Sequence, residues 1–144
     1  MVRSVNSVNP FNWVKIGRRI RRYAPDVLIV RYWMPFMAPC LGTIMREVKK
    51  NGKTQIVALV DNIIPHERHF YDSMLSRYFV NATDRFVVMS ASVREELKKF
   101  TDKPCELQPH PLYDIYGSKV SRAEAVTHLN LNPDYRYIMF FGFI

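Results

Sequence analysis

A chain of 144 residues is long enough for one domain with a true core. Its 48% hydrophobic and 24% charged residues fit a globular protein, and no apolar run approaches the roughly 20 residues that span a bilayer. The net charge of +8 is unevenly spread: residues 1–53 carry 11 Lys and Arg against only Asp26 and Glu47, whereas residues 54–144 are nearly balanced. That asymmetry suggests an anionic neighbour (phospholipid, a phosphate-bearing substrate or nucleic acid) or a solvated basic surface.

In chain order, Asn9-Pro10 is a helix start, with Asn as N-cap and Pro at the first helical position. Trp13, Ile16, Ile20 and Tyr23 recur at helical spacing, and Lys15, Arg18, Arg19, Arg21 and Arg22 occupy the other faces. Pro25-Asp26 ends this helix. Val27–Trp33 is a strand with almost no alternation, the pattern of a parallel strand covered on both faces. A helix over 36–50 is entered through Pro35 and closed by Lys49-Lys50-Asn51-Gly52. Strand 54–60 leads into the loop Asp61–Glu67. A helix over 70–81 follows, with Met74, Leu75, Tyr78 and Phe79 on one side. Strand Asp84–Met89 precedes a helix to Phe100, whose capping box is Ser92-x-x-Glu95. Cys105–Gln108 is a short strand running into Pro109-His110-Pro111. A second capping box, Ser121-x-x-Glu124, opens a helix to Leu129, and Tyr137–Ile144 is a final strand. Strands separated by helices of this length predict βαβ units: an α/β fold with a mostly parallel sheet flanked by helices. The apolar final strand and the missing strand before the first helix suggest an internal piece of a longer protein, cut at both ends.

Cys40 and Cys105 are far apart and have no Cys-x-x-Cys partner, so they are expected to be packed thiols. Asn81-Ala82-Thr83 matches a glycosylation sequon, but the first ten residues are polar and lack the apolar core of a secretory leader.

The chemically unusual residues fall just beyond the strands: Trp33, Asp61–Glu67, Ser90, His110 and Gly142. Parallel sheets bind ligands in the crevice at that end. His66 has the imidazole to donate to a phosphate or sugar hydroxyl and to exchange protons near neutrality; a helix cap or turn is its structural alternative. Asp61 and Asn62 either orient a substrate hydroxyl or form an Asx-turn. Glu67 is placed to meet the positive end of the next helix. Ser90 begins a helix, whose backbone N–H groups can meet an anion. His110 is held between two prolines, and Gly142 ends a strand in the manner of a phosphate-approaching glycine. His66-Glu67-Arg68-His69 lacks the spacing that puts two metal ligands on one helix face. There is no Gly-x-Ser-x-Gly, no Gly-x-Gly-x-x-Gly, and no interleaved basic and aromatic RNA motif.

Together Ser7–Trp13, Pro25-Asp26, Arg31–Phe36, Asp61–Glu67, Val88–Ser90, Pro109–Tyr113 and Phe140–Ile144 resemble bacterial glycosyltransferases of family four. The similarity covers nearly the whole chain in order and spacing. The resemblance implies a two-domain B-type fold and retaining transfer of a sugar from a nucleotide-sugar to a glycan or lipid-linked acceptor, in cell-surface polysaccharide synthesis. It makes residues 1–132 a partial, Rossmann-like acceptor-side domain and 133–144 the first strand of the donor-binding domain. It implies His66 as the catalytic histidine. Asp61, Asn62, Glu67, Arg31, Trp33, Ser90 and His110 become substrate contacts, and Gly142 belongs to the donor-phosphate loop. The nucleotide-sugar is substrate, with no further cofactor and no metal. Most of the donor site lies beyond Ile144, so the chain by itself is expected not to transfer sugar. Related enzymes work on lipid-linked acceptors, so a cytoplasmic location at the inner membrane face is expected, with Lys15, Arg18, Arg19, Arg21 and Arg22 meeting anionic lipid. Nucleic acid is not an expected partner. The alternative from another class is a non-catalytic doubly wound module that binds an anionic partner through its basic half.

Overall fold

The computed structural model describes residues 4–64, 69–109 and 117–140. The chain forms two compact units, Met1–His110 and Pro111–Ile144.

The first unit opens with α1 (Pro10–Tyr23). The Asn9 side chain accepts from the Phe11 and Asn12 N–H groups, as Asn-Pro predicts. The helix ends at Ala24, in the left-handed region at φ 50°, whose N–H bonds back to Ile20 and Arg21. Pro25 follows immediately. Next come β1 (Val27–Tyr32), a 3-10 turn (Pro35–Met37), α2 (Ala38–Lys49) and β2 (Gln55–Val60), then α3 (Asp72–Ala82), β3 (Arg85–Val88), α4 (Ala91–Lys98) and β4 (Cys105–Leu107). The four strands pair in parallel in the order β1-β2-β3-β4, with Tyr32 opposite Val60, Val60 opposite Val88 and Val88 opposite Leu107. The predicted parallel α/β sheet is therefore present.

One expectation fails in an informative way. β1 is not covered on both faces: Val27, Ile29 and Arg31 are exposed, and Leu59 of β2 is exposed beside them. The strands follow chain order, and crossovers of one hand then place every connecting helix on the same side. The core confirms this. Tyr32, Ile56, Ala58, Val60, Phe86 and Val88 point to one face, where they pack with Met45, Phe79, Val80, Val93 and Leu97 of the helices. Ile16 of α1 joins Cys40, Ile44 and Val48 of α2 over Leu28 on that same face.

Other corrections are local. Tyr23 lies 83% exposed at the end of α1, so only Trp13, Ile16 and Ile20 form its inner stripe. The predicted helix 36–50 begins as the 3-10 turn and becomes α-helical at Ala38. On α3, Met74 is exposed, and the inner face is Asp72, Ser76, Phe79 and Val80. The polar Ser76 hid this stripe, because it is buried by being hydrogen-bonded. α4 is capped by Ser90, which accepts from Val93 N–H; Glu95 pairs with Lys98 instead of closing a box with Ser92. Both cysteines are free thiols: Cys40 is buried, Cys105 half-buried, and burial pushes both pKa values up.

α1 and α2 approach closely through Gly17, where a Cβ would sit 2.5 Å from Glu47 Cβ. Glu47 in turn collects Arg18, Arg21 and Lys50.

The second unit holds α5 (Arg122–His128), with the predicted Ser121/Glu124 capping box intact. Arg122 donates to the Pro133 and Tyr135 carbonyls, and Tyr137 Oη donates to Asn132 O while accepting from Asn132 N–H. The predicted last strand is not formed over Tyr137–Phe140, where Ile138, Met139 and Phe140 are exposed. An apolar segment with no paired neighbour has no ladder to join. Its remainder, with Gly142, lies outside the described residues.

Candidate functional site

The parallel register places the ends of β1, β2 and β3 in one row, so Trp33, Asp61 and Met89-Ser90 leave the sheet side by side. Asp61 continues the ladder, since its N–H donates to Tyr32 O at 2.9 Å. Its carboxylate accepts two bonds from one guanidinium: Arg31 Nε to Oδ2 at 2.7 Å and Arg31 Nη2 to Oδ1 at 3.2 Å. This fork–fork geometry orients both planes. Arg31 remains 68% exposed while Asp61 is mostly covered. An exposed pair of this kind contributes about 0–1 kcal/mol to stability. Its placement therefore bears on what the row can hold more than on how the fold stands. Arg31, Asp61, Trp33 and Met37 line one open cleft of about 670 Å³. It combines a flat, half-exposed indole, a thioether and a charged pair that can donate and accept toward hydroxyls. Such a mixture of apolar wall and few polar groups is typical of small-ligand sites.

The loop beyond Asp61 is pinned from beneath. Ser76 Oγ donates to the Ile63 carbonyl at 3.1 Å, so the Tyr32 hydroxyl, 3.3 Å away, must be the donor to Ser76. Ile63 is fully buried in the core. Burial pushes the Tyr32 phenol up to about 12, and the hydroxyl stays a donor throughout the physiological range. The chain cannot move at Ile63 without breaking this relay. Asn62 follows Asp61, half-buried, and makes no hydrogen-bonded Asx-turn among the described residues.

Ser90 sits two strands from β1, roughly 10 Å away by sheet spacing. Its Oγ serves as the α4 cap and lies 3.0 Å from Ser92 Oγ. The structure thus brings Arg31, Trp33 and Asp61 together and leaves Ser90 on the same row but outside their cleft. His66, Glu67, His110 and Gly142 lie outside the described residues.

Sequence reading missed several contributors. Met37 enters the cleft only because the 3-10 turn follows β1 directly. Tyr32 and Ser76 carried no motif; a serine on the apolar face of a helix was the signal for them. Lys103 caps the far end of α3, donating to the Val80, Asn81 and Thr83 carbonyls. Burial and the nearby Lys49 hold its ammonium below the usual lysine range.

A family model described as Glycosyltransferase Family 4 matches residues 2–111, close to the span of the first compact unit. No curated protein and no solved structure matches the chain.

Proposed function

The chain belongs to glycosyltransferase family 4, and from that premise we propose that it forms the acceptor-side lobe of a retaining sugar transferase. The reaction is transfer of a sugar from a nucleotide-sugar to a glycan or lipid-linked acceptor in cell-surface polysaccharide synthesis. The observation that carries this reading is the convergence of Arg31, Asp61 and Trp33 on one cleft at the carboxyl ends of parallel strands. In this reading the indole packs against a sugar face and the ion pair holds its hydroxyls. Asn62 extends the polar edge. His66, carried on the loop beyond the pinned Ile63, reaches the donor sugar and phosphate, with Glu67, Ser90 and His110 as further contacts. Gly142 belongs to the donor side. No helix among the described residues is long and apolar enough to cross a membrane, and we place the protein in the cytoplasm at the inner membrane face.

The test is acceptor-dependent release of nucleoside diphosphate by this lobe joined to a donor-binding lobe. Replacing His66 with Ala is expected to lower turnover by about 10²–10⁴-fold, the range for a lost acid–base group. The 144-residue chain by itself is expected to give no turnover. Measurable transfer by it would refute that expectation, and full activity in His66→Ala would refute the role given to His66.

A further inference from the structure

A parallel sheet normally carries cover on both faces. Here the helices of the first unit pack on one side, and the other face is bare. The register sorts that bare face into rows across the strands. Arg31, Leu59, Val87 and Glu106 form one row; Ile29, Val57 and Arg85 form the row before it, and Val27 and Gln55 the next. Cys105 and Leu107 pack on the core, so Glu106 between them stands on the bare side. Ile29 is 63% exposed, Val27 47% and Leu59 36%, while Val57 and Val87 are half-buried. A contiguous apolar stripe of this kind marks an interaction surface.

The charges on this face point to its occupant. From β1 to β4 the first row reads cation, apolar, apolar, anion: Arg31, Leu59, Val87, Glu106. A second copy turned about a two-fold axis parallel to the strands presents the same row in reverse at the same height. Arg31 then meets the partner's Glu106, and Leu59 meets the partner's Val87. An axis across the strands through the middle row would instead set Arg85 against its own copy. Sheets pack face to face about 10 Å apart with their strands within about 30° of each other, which the first arrangement meets. Strands about 4.8 Å apart and about 20 Å long give roughly 400 Å² of flat sheet per copy for the four strands. The pair therefore buries about 800 Å² or somewhat more, the low end for a specific interface.

We propose that the bare face of the sheet is a dimer interface occupied by a second copy of this chain, with the strands of the two copies running in the same direction. The Ile29, Val57, Leu59 and Val87 side chains supply the apolar centre, and the Arg31–Glu106 contacts at its two edges fix which way round the copies meet. Both Arg31–Asp61 clefts then open at the same end of the dimer, and the partner's Glu106 brings a further carboxylate beside each guanidinium. The dimer goes beyond the transferase reading and does not depend on it.

The test is sedimentation velocity of the full chain over a series from about 1 to 200 μM, the range in which so small an interface is expected to assemble. A reversible step from monomer to dimer is expected within it. Ile29→Lys and Leu59→Lys each put a charge in the middle of the face at an exposed position, so they should leave the circular dichroism unchanged and weaken association more than about 10-fold. Arg31→Gln and Glu106→Gln should each weaken it about 5-fold, and the double variant no more than either alone, because both remove one contact. Met139→Lys, in the exposed apolar segment of the second unit, should leave the dimer unchanged. A monomer throughout the series would show that another segment or a different partner covers the face, and would overturn the proposal. So would dimers that survive Leu59→Lys, an equal loss in Met139→Lys, fully additive losses from Arg31 and Glu106, or growth beyond the dimer. Loss of sugar transfer with the dimer intact would count against the transferase reading alone.

Discussion

Removing the Ser76 hydroxyl strips two buried groups of their partner at once, the Tyr32 hydroxyl and the Ile63 carbonyl. Ser76→Ala is therefore expected to cost about 1–3 kcal/mol, whereas Tyr32→Phe, which removes one donor and leaves Ser76 bonded to Ile63, should cost about 1 kcal/mol. Once Ser76 is Ala, adding Tyr32→Phe should cost little more, and urea denaturation of the three variants measures the coupling. At Arg31 the expected effect is on binding. Arg31→Lys keeps the charge but loses the fork that holds both Asp61 oxygens. The variant should melt within about 0.5 kcal/mol of the parent, the usual range for surface substitutions, yet weaken acceptor-sugar binding by calorimetry. An equal loss of stability would show that the pair supports the fold instead. Asp61 was visible as a candidate in the sequence because it adjoins a strand end, and Arg31 through the family resemblance. That they bond to each other was not, because only the β1–β2 register places Arg31 opposite Leu59 and beside Asp61.

Among the elements, α1 ends on a residue that prefers not to be there. Ala24 adopts φ 50°, which costs an L-residue roughly 1–2 kcal/mol relative to glycine, and the following Pro25 narrows its choices further. Ala24→Gly should raise stability by about 0.5–1 kcal/mol, read from the denaturation midpoint. Gly17→Ala should act the other way. A methyl there meets the root of the Glu47 side chain and the Ile44 carbonyl, not a flexible tip. The two helices must separate, at about 1–3 kcal/mol, which exceeds the roughly 1 kcal/mol of helix propensity gained. A more stable Gly17→Ala would show that the helices can slide apart freely. The α1 start was legible because Asn9 and Pro10 act locally. The α4 start was not. Ser90 and Ser92 both suit a cap, and the choice falls to Ser90 because β3 holds the chain as far as Val88, whose carbonyl accepts from Gln108 N–H.

At the scale of the molecule, Asp84 ties the near ends of the sheet and helices together. Burial raises its carboxyl, but Lys49 and the Ile56 N–H outweigh that and hold it below its ordinary value of 3.8. A carboxylate with a depressed folded value contributes stability that is complete above its unfolded value and lost as pH falls through the folded one. The parent should therefore lose stability on acidification below about pH 4, and Asp84→Asn should lose less there while being weaker near neutrality. Parallel acid titrations followed by circular dichroism would show the two curves converging. Curves that stay parallel would remove Asp84 from the acid response.

The order of helices and strands in the first unit, the parallel class of the sheet and the places of Trp33, Asp61 and Ser90 beyond it were determined by sequence alone. They follow from periodicity, caps and prolines, which act over a few residues. Tertiary structure alone decided that every helix of the first unit lies on one face of the sheet, that a buried serine anchors the loop after β2, and that Arg31 turns onto Asp61. Each depends on which elements lie side by side and in what register, through contacts between residues 13 to 44 positions apart in the chain.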